Sequence, residues 1–283
     1  MSPLKNDLKD KLSVVILCAG EGTRLKKITK ITPKPLIKIV KLNGISILHH
    51  TINNLIKFEI SKIGITIGYL GDIIHDFIST FKKNNQNLQD KLIIIDTENQ
   101  YKFGPLYSFL SITKNHDFFS SSNYYLVIPG DTIFDYNIFK DVLSILSNNF
   151  HSIKEYPFVF YRKIGLKPLE KLYDITRMIS NAEIAKIGSE IILRKISQLK
   201  VGEITPDNVL NQLIPINVFS YDSINEILNL NREKLSKTIW ETLNYMIFNG
   251  KKVLAFEIEN KYDFYDIDYA DDTKKIKKKK DGQ

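Results

Sequence analysis

An apolar run, Ser13-Val14-Val15-Ile16-Leu17-Cys18, gives way abruptly to Ala19-Gly20-Glu21-Gly22-Thr23-Arg24-Leu25. A short β-branched run without polar alternation has the pattern of a strand buried on both faces, as in the parallel sheets of α/β proteins. Glycines at 20 and 22 let the main chain beyond the strand approach a ligand closely and take dihedrals closed to other residues. Such a turn points backbone N–H groups inward, a nest for anionic oxygens. Arg24 adds a planar fork suited to phosphate, and Lys34, between Pro33 and Pro35, a compact point charge. The first expectation is therefore a strand delivering a triphosphate-binding loop to the edge of a sheet.

The segments that follow alternate. Ile47, Leu48, Ile52, Leu55 and Ile56 fall at helical spacing, 62–68 reads as a strand, 71–82 as a helix, and 92–95 as a buried strand. A helix over 106–112, a strand over 124–128 and a helix over 137–148 continue the series. This alternation predicts an α/β fold: a single Rossmann-like domain with a mixed, mostly parallel central sheet flanked by helices. Ligands in such sheets bind beyond the carboxyl ends of strands, where both Gly20 and Asp131 fall. The second half is less regular, with strands expected near 157–161, 190–197, 213–219 and 252–258 and a helix near 233–249. Neither an internal repeat nor a Gly/Ser/Pro-rich linker divides the chain, so one domain is expected over 13–272, between a lead at 1–12 and a tail at 273–283.

The formal net charge of +8 is concentrated in that tail, where six lysines and one acid give +5 and leave +3 for the remainder. A nearly balanced body without interleaved aromatic and basic residues argues against a nucleic-acid partner. No stretch reaches the length of a membrane span and the first dozen residues lack a signal-peptide core, so a cytoplasmic protein is expected. The single cysteine permits no internal disulfide and fits a reducing compartment. The five histidines show no metal-ligand clustering.

Acidic residues complete the pattern. Val127-Ile128-Pro129-Gly130-Asp131 sets a carboxylate after a predicted strand, and Phe264-Tyr265-Asp266-Ile267-Asp268 sets two more near the other end. Carboxylates drawn together from distant positions suit magnesium, which prefers oxygen ligands and substrate phosphates. Asp266 and Asp268 share one face if their segment is extended, so spacing alone leaves the choice between them open.

The order Gly-x-Gly-Thr-Arg-Leu, Pro-Lys-Pro-Leu, strand-end Gly-Asp and Asp-Ile-Asp resembles the sugar-phosphate nucleotidylyltransferase family, the nucleotide-sugar pyrophosphorylases and related cytidylyltransferases. The resemblance runs over roughly 13–272, is strongest at the ends and is weak between 150 and 210. It implies transfer of a nucleotidyl group from a nucleoside triphosphate to a sugar 1-phosphate, giving a nucleotide sugar and pyrophosphate. Catalytic roles then fall to Arg24 on the leaving pyrophosphate, Lys34 on the reacting phosphates and Asp131. Mg2+ is the implied cofactor, held by Asp131 and one of Asp266 and Asp268. The nucleotide would meet Ala19, Gly20, Gly22 and Thr23, with Gly104 and an amide from Asn99 or Gln100 facing the base from the loop 97–106. Members of the family often extend into a β-helix of hexapeptide repeats, which finds no match here, and isolated domains of this type often associate as homo-oligomers.

Acceptor recognition departs from the pattern. The Glu-Lys-Pro stretch that supplies a second lysine is absent, and Lys200 in Ser197-Gln198-Leu199-Lys200 is the nearest equivalent acceptor-binding residue. The acceptor is therefore open to an alternative, a CTP-dependent cytidylyltransferase acting on phosphocholine or a polyol phosphate. An alternative of another class is a catalytically silent regulatory subunit that binds nucleotide sugar.

Overall fold

The structure, a computed structural model, describes residues 6–25, 28–205, 207–233, 236–269 and 272; the tail expected over 273–283 lies outside the described residues. Along the chain the strands are β1 (Leu12–Leu17), β2 (Lys62–Ile67), β3 (Leu92–Asp96), β4 (Tyr124–Pro129), β5 (Thr132–Phe134), β6 (Phe158–Gly165), β7 (Met178–Ile187), β8 (Glu190–Lys200), β9 (Val209–Ser220), β10 (Leu254–Glu257) and β11 (Phe264–Asp266). Nine of them form one sheet in the order β3-β2-β1-β4-β9-β6-β10-β8-β7.

The apolar run becomes β1, at the heart of the parallel half of the sheet. Its residues alternate between two cores. Val14 and Ile16 join Leu126, Ile128, Ile52 and Ile74 on one face, and Val15 joins Tyr125, Val127, Leu106 and Phe109 on the other. Burial on both faces explains the absence of polar alternation. Helices Ile47–Ile56 and Gly71–Asn84 make the crossovers, the first capped by Ser46, which accepts from the His49 N–H. Within the lead expected over 1–12, Leu8 and Leu12 are both buried in the first core.

The sheet is mixed, and "mostly parallel" does not describe its second half. β9 runs antiparallel between β4 and β6, and β8 runs antiparallel to both β10 and β7; β6 with β10 is the one further parallel pair in the described sheet. The physical reason is visible at Gly188-Ser189. Two residues separate β7 from β8, with Gly188 at φ +60°, and a loop that short can join only antiparallel neighbours.

Two further pieces of packing place the chemistry. β5 and β11 pair antiparallel, setting Asp266 opposite Thr132 and bringing the far end of the chain to the loop beyond β4. A small core of Leu25, Ile37, Ile39, Ile47, Ile133 and Ile267 then ties the glycine loop to the acidic segment. A further core of Ile164, Leu169, Tyr173, Ile179, Val201, Ile204 and Leu210 forms a satellite lobe around helix Leu166–Leu172.

Candidate active site

The loop after β1 is held by its own main chain. The Cys18 N–H donates to the Thr66 carbonyl at 3.1 Å, Tyr69 N–H to Ala19 O at 3.0 Å, and Leu25 N–H to Gly22 O at 3.0 Å. Gly22 has φ +61°, and a Cβ there would lie 2.9 Å from Thr29 Cγ2, so this glycine is required by the turn. At Gly20 a Cβ would meet no atom of the described residues within 4 Å; the space that a side chain would enter is the cleft itself. Thr23–Leu25 forms a 3-10 turn that projects the Arg24 side chain, and Lys34 opens a second one after Pro33.

Lys34 is the electrostatic centre. Only 8% exposed, its Nζ donates to Asp131 Oδ2 at 2.6 Å and to Asp268 Oδ1 at 2.9 Å. Burial alone would lower its pKa, yet the two carboxylates outweigh that effect and raise it, keeping the ammonium charged. Asp268 carries three cations: Lys34, Arg24 Nη1 at 3.0 Å and Arg177 Nη2 at 3.1 Å. Burial pushes its carboxyl upward, and these cations more than reverse the shift, holding it below the ordinary carboxylate value. Acids from the end of β4 and from the far end of the chain thus meet on one ammonium.

The structure separates the two candidate acids that spacing leaves equivalent. Asp268 lines the cleft with Asp131, whereas Asp266 turns away and accepts from Thr132 Oγ1 at 2.6 Å. The extended segment ends at Asp266, the last residue of β11, and Ile267 enters the small core beside Leu25. Beyond it the chain turns, with Asp268 N–H and Tyr269 N–H both donating to Asp272 Oδ2 at 2.8 Å. Burial pushes the Asp266 carboxyl up to about 6; the bond from Thr132 opposes this, and Asp131 and Asp268 add to it.

The cleft, of about 470 Å³, is lined by Ala19, Gly20, Gly22, Thr23, Arg24 and Lys34 on one wall and by Tyr101, Gly104, Pro105 and Ser108 on the other. That volume is within the range of small-molecule sites. Gly104 has φ +123°, and a Cβ there would fall 2.5 Å from the Lys237 carbonyl oxygen. Asn99 and Gln100 stand at the start of the 3-10 turn Gln100–Phe103 and do not line the cleft; Tyr101 from the same loop and Ser108 do. Cys18 also borders it, but its thiol is pushed well up by burial and then by Asp131, and it stays neutral.

Lys200 is not brought to this site. At the end of β8, its exposed ammonium pairs with Glu203 at 3.3 Å, three residues along the same strand-to-turn segment. The cation found instead is Arg177, which the motif reading does not single out. It is 7% exposed, its Nη2 donates to Asp266 O at 3.0 Å and its Nη1 to Asp272 Oδ2 at 3.3 Å. Rings of Tyr173 and Tyr269 lie 5.5 and 5.4 Å from its Cζ. The available signal is Asp174-Ile175-Thr176-Arg177, an Asx turn in which Asp174 Oδ1 accepts from Thr176 N–H and Oγ1, leading an arginine into a strand that must pair it.

Comparison with known proteins decides what such a site belongs to. The family model described as nucleotidyl transferase matches residues 13–153, the span that carries the glycine loop, Lys34, the cleft loop and Asp131. Over residues 13–153 the chain belongs to that family. A curated relative, the bifunctional protein GlmU of Methanococcus maripaludis, is 28% identical over 216 residues, which cover 72% of this chain and 47% of that protein. The chain therefore spans about half the length of the curated relatives it matches. Among solved structures, a UDP-glucose pyrophosphorylase complexed with UDP-glucose superposes with a TM-score of 0.65 at 15% identity, covering 93% of this chain and 95% of that one. The CTP:phosphocholine cytidylyltransferase of Streptococcus pneumoniae gives 0.62 at 17% identity, covering 94% and 97%. At these identities the likeness is one of fold. It extends through the second half of the chain, beyond the family match.

Proposed function

We propose that the protein is a nucleotidylyltransferase that joins a nucleoside triphosphate to a sugar 1-phosphate, forming a nucleotide sugar and pyrophosphate. The observation that carries this reading is the Lys34 ammonium clamped between Asp131 and Asp268 beside a main-chain anion nest. In the proposed reaction an acceptor phosphate oxygen attacks the α-phosphorus in line. The new P–O bond forms as the α-phosphorus bond to the β-bridging oxygen breaks, and the electron pair leaves with pyrophosphate. Both reactants are anions, so alignment and charge neutralisation provide the acceleration and no covalent nucleophile is needed.

Each residue has a place in that scheme. Main-chain N–H groups from Gly20 to Thr23 receive the triphosphate, and Arg24, projecting from the loop into solvent at 64% side-chain exposure, is free to follow the leaving pyrophosphate. Lys34 offsets charge at the reacting phosphates from a fixed, buried position. Main chain at Ala19, Gly20 and Gly104 faces the base, with Asn99 and Gln100 one turn away from it. Asp131 and Asp268 are oxygen donors close enough to share one ammonium, a donor set that fits Mg2+; bound there, the ion would act as a Lewis acid on the phosphates. The acidic pair is thus Asp131 with Asp268, and Asp266 is left out of it.

Two observations favour a second reading, cytidylyl transfer to a small phosphorylated alcohol. Lys200 is tied to Glu203 at the surface, and the cavity beside Asp266 measures about 90 Å³, a compact space for an acceptor. Pyrophosphate release measured for the four common ribonucleoside triphosphates and dTTP against glucose 1-phosphate, N-acetylglucosamine 1-phosphate, phosphocholine and glycerol phosphate separates them. Release with UTP or dTTP and a sugar phosphate upholds the first reading, and release with CTP and phosphocholine or glycerol phosphate the second. Tight nucleotide-sugar binding without release in any pairing would leave the regulatory-subunit alternative. Among the described residues no helix is long and apolar enough to cross a membrane. The buried, neutral cysteine is compatible with a cytoplasmic setting.

A further inference from the structure

We infer that Arg177 is the residue that grips the acceptor's phosphate, and that the cavity it borders receives the remainder of that phosphomonoester. The inference rests on the nucleotidyl-transfer reading above and adds to it the residue that reads the second substrate.

The cations around Asp268 are divided between two spaces. Arg24 and Lys34 line the nucleotide cleft; Arg177 does not. It lines the neighbouring cavity together with Tyr173, Ser180, Gln212, Phe264 and Asp266. Asp268, bonded to all three cations, lines the nucleotide cleft and Asp266 lines the cavity, so the Asp266-Ile267-Asp268 segment is the wall between the spaces. An acceptor must place its phosphate beside this wall to reach the α-phosphorus, and its remaining atoms must extend away from the triphosphate. Arg177 stands on that side.

Its chemistry suits the task. A guanidinium offers a planar fork to a phosphate and is more weakly hydrated than an ammonium, so it can work while buried. The rings of Tyr173 and Tyr269 lie beside it at cation–π distance. Its bond to Asp268 is to a carboxylate already shared among three cations, whereas an incoming phosphate dianion offers more charge and more acceptor oxygens. Lys200, the alternative cation, is held at the surface by Glu203.

The polar groups around the cavity also point to an absent partner. Arg162 is 1% exposed; its Nε donates to Gln212 Oε1 at 2.9 Å and its Cζ lies 4.7 Å from the Phe264 ring, so it backs two of the lining residues. Among the described residues its Nη2 has no hydrogen-bond partner, and the buried Tyr173 hydroxyl lies beside Gln212 without completing a hydrogen bond. Buried donors are rarely left unsatisfied. An oxygen carried by the acceptor would meet the Tyr173 hydroxyl, which lines the cavity, with the Asp266 carboxylate accepting from a hydroxyl or ammonium.

The competing account is that Arg177 only holds the acidic turn, through Asp266 O and Asp272. The test uses the full chain as wild type, Arg177→Met and Arg177→Lys, with melting curves to establish folding and glucose 1-phosphate and phosphocholine as probes. Binding of each probe is followed by phosphorus NMR titration, and KM is measured separately for acceptor and triphosphate with whichever probe turns over. Loss of charge-assisted bonds predicts that Arg177→Met weakens binding of at least one probe, and raises its KM, by about 10- to 100-fold. Triphosphate KM stays within about twofold, and Arg177→Lys recovers part of the loss. Equal probe binding by wild type and Arg177→Met, failure of both probes to bind wild type, or a rise in triphosphate KM matching that for acceptor each overturns the inference. Probe binding that depends on Arg177 in a wild type that releases no pyrophosphate would sink the catalytic reading and leave the phosphate grip standing.

Discussion

The two halves of the sheet build their parts of the site from different materials. On the β3-β2-β1-β4 side the ligand surface is largely main chain: the turn after β1, the Gly104 corner and the strand-end position of Asp131. On the β6-β10-β8-β7 side it is side chains: Arg162 reaching Gln212 across the β6–β9 ladder, and Arg177 entering from the residue before β7. Main-chain sites suit a ligand part common to many reactions, because any sequence with the right turn offers the same N–H groups. Side-chain networks suit a part that differs between enzymes, since each residue can be exchanged without rebuilding the fold. Asp268 lies where the two constructions meet, and the experiments below are ordered by how strongly they should separate the two sides.

Lys34→Met should have the largest effect. It removes the buried cation that touches both Asp131 and Asp268 and leaves those carboxylates facing each other. Turnover is expected to fall about a thousandfold or more, as when a preorganised charge is removed from a water-poor site, and steady-state pyrophosphate release measures it. Arg24→Ala should cost less, because its exposed guanidinium meets one carboxylate among the described residues, against two for Lys34. A larger loss at Arg24 than at Lys34 would shift the centre of catalysis outward from the clamp.

Next in size is the contrast between two acids two residues apart. Asp268→Asn should lower turnover by about 100-fold and weaken Mn2+ binding read by electron paramagnetic resonance. Asp266→Asn should leave Mn2+ binding near wild type, because Asp266 faces Thr132 and the second cavity. The reverse ranking would return the acidic pair to Asp131 and Asp266.

What was legible in the sequence follows the same division. The glycine loop, Lys34 and Asp131 could be found because a turn, a proline-flanked lysine and a strand-end acid are local patterns, and the helices and strands from 47 to 148 carry clear periodicity. Asp266 and Asp268 could not be told apart, because the answer depends on where β11 ends and on Ile267 entering a core shared with Leu25. Arg177, Arg162 and Gln212 were invisible for a related reason. Arg162 meets Gln212 only through strand register, and no spacing along the chain encodes that pairing. β7 escaped because Met178–Ile187 is mostly exposed or half-buried and shows no clean alternation, although Gly188-Ser189 was a readable hairpin turn.

A backbone test probes the main-chain half. Gly104→Ala places a Cβ 2.5 Å from the Lys237 carbonyl oxygen at a φ of +123°. The loop must shift or strain, at a cost of about 1–3 kcal/mol. Triphosphate KM should rise while acceptor binding, measured by NMR, changes little. Equal effects on both substrates would mean that the two halves are not energetically separate.

The smallest effect is a stability difference with a definite pH dependence. The folded-state pKa of Asp266 is pushed up to about 6, mainly by burial, so the folded protein holds this proton more tightly than the unfolded chain. Its favourable contribution is complete below the ordinary aspartate value and is lost as pH rises through about 6. Asp266→Asn, which keeps an oxygen for Thr132 and carries no charge, should therefore be more stable than wild type at pH 7.5 by ~1–2 kcal/mol, an advantage that fades toward pH 4. Asp268 has the opposite sign. Burial raises its pKa but Lys34, Arg177 and Arg24 bring it lower than usual, so its contribution is present above the ordinary value and is lost as pH falls. Asp268→Asn should accordingly be less stable than wild type at pH 7.5, with the gap closing in acid. Urea unfolding midpoints for the two variants from pH 4 to 8 would show curves of opposite slope relative to wild type. Parallel curves would mean that both acids share one environment, and the boundary drawn at Asp268 between a cation-rich cleft and a desolvated acceptor cavity would then not exist.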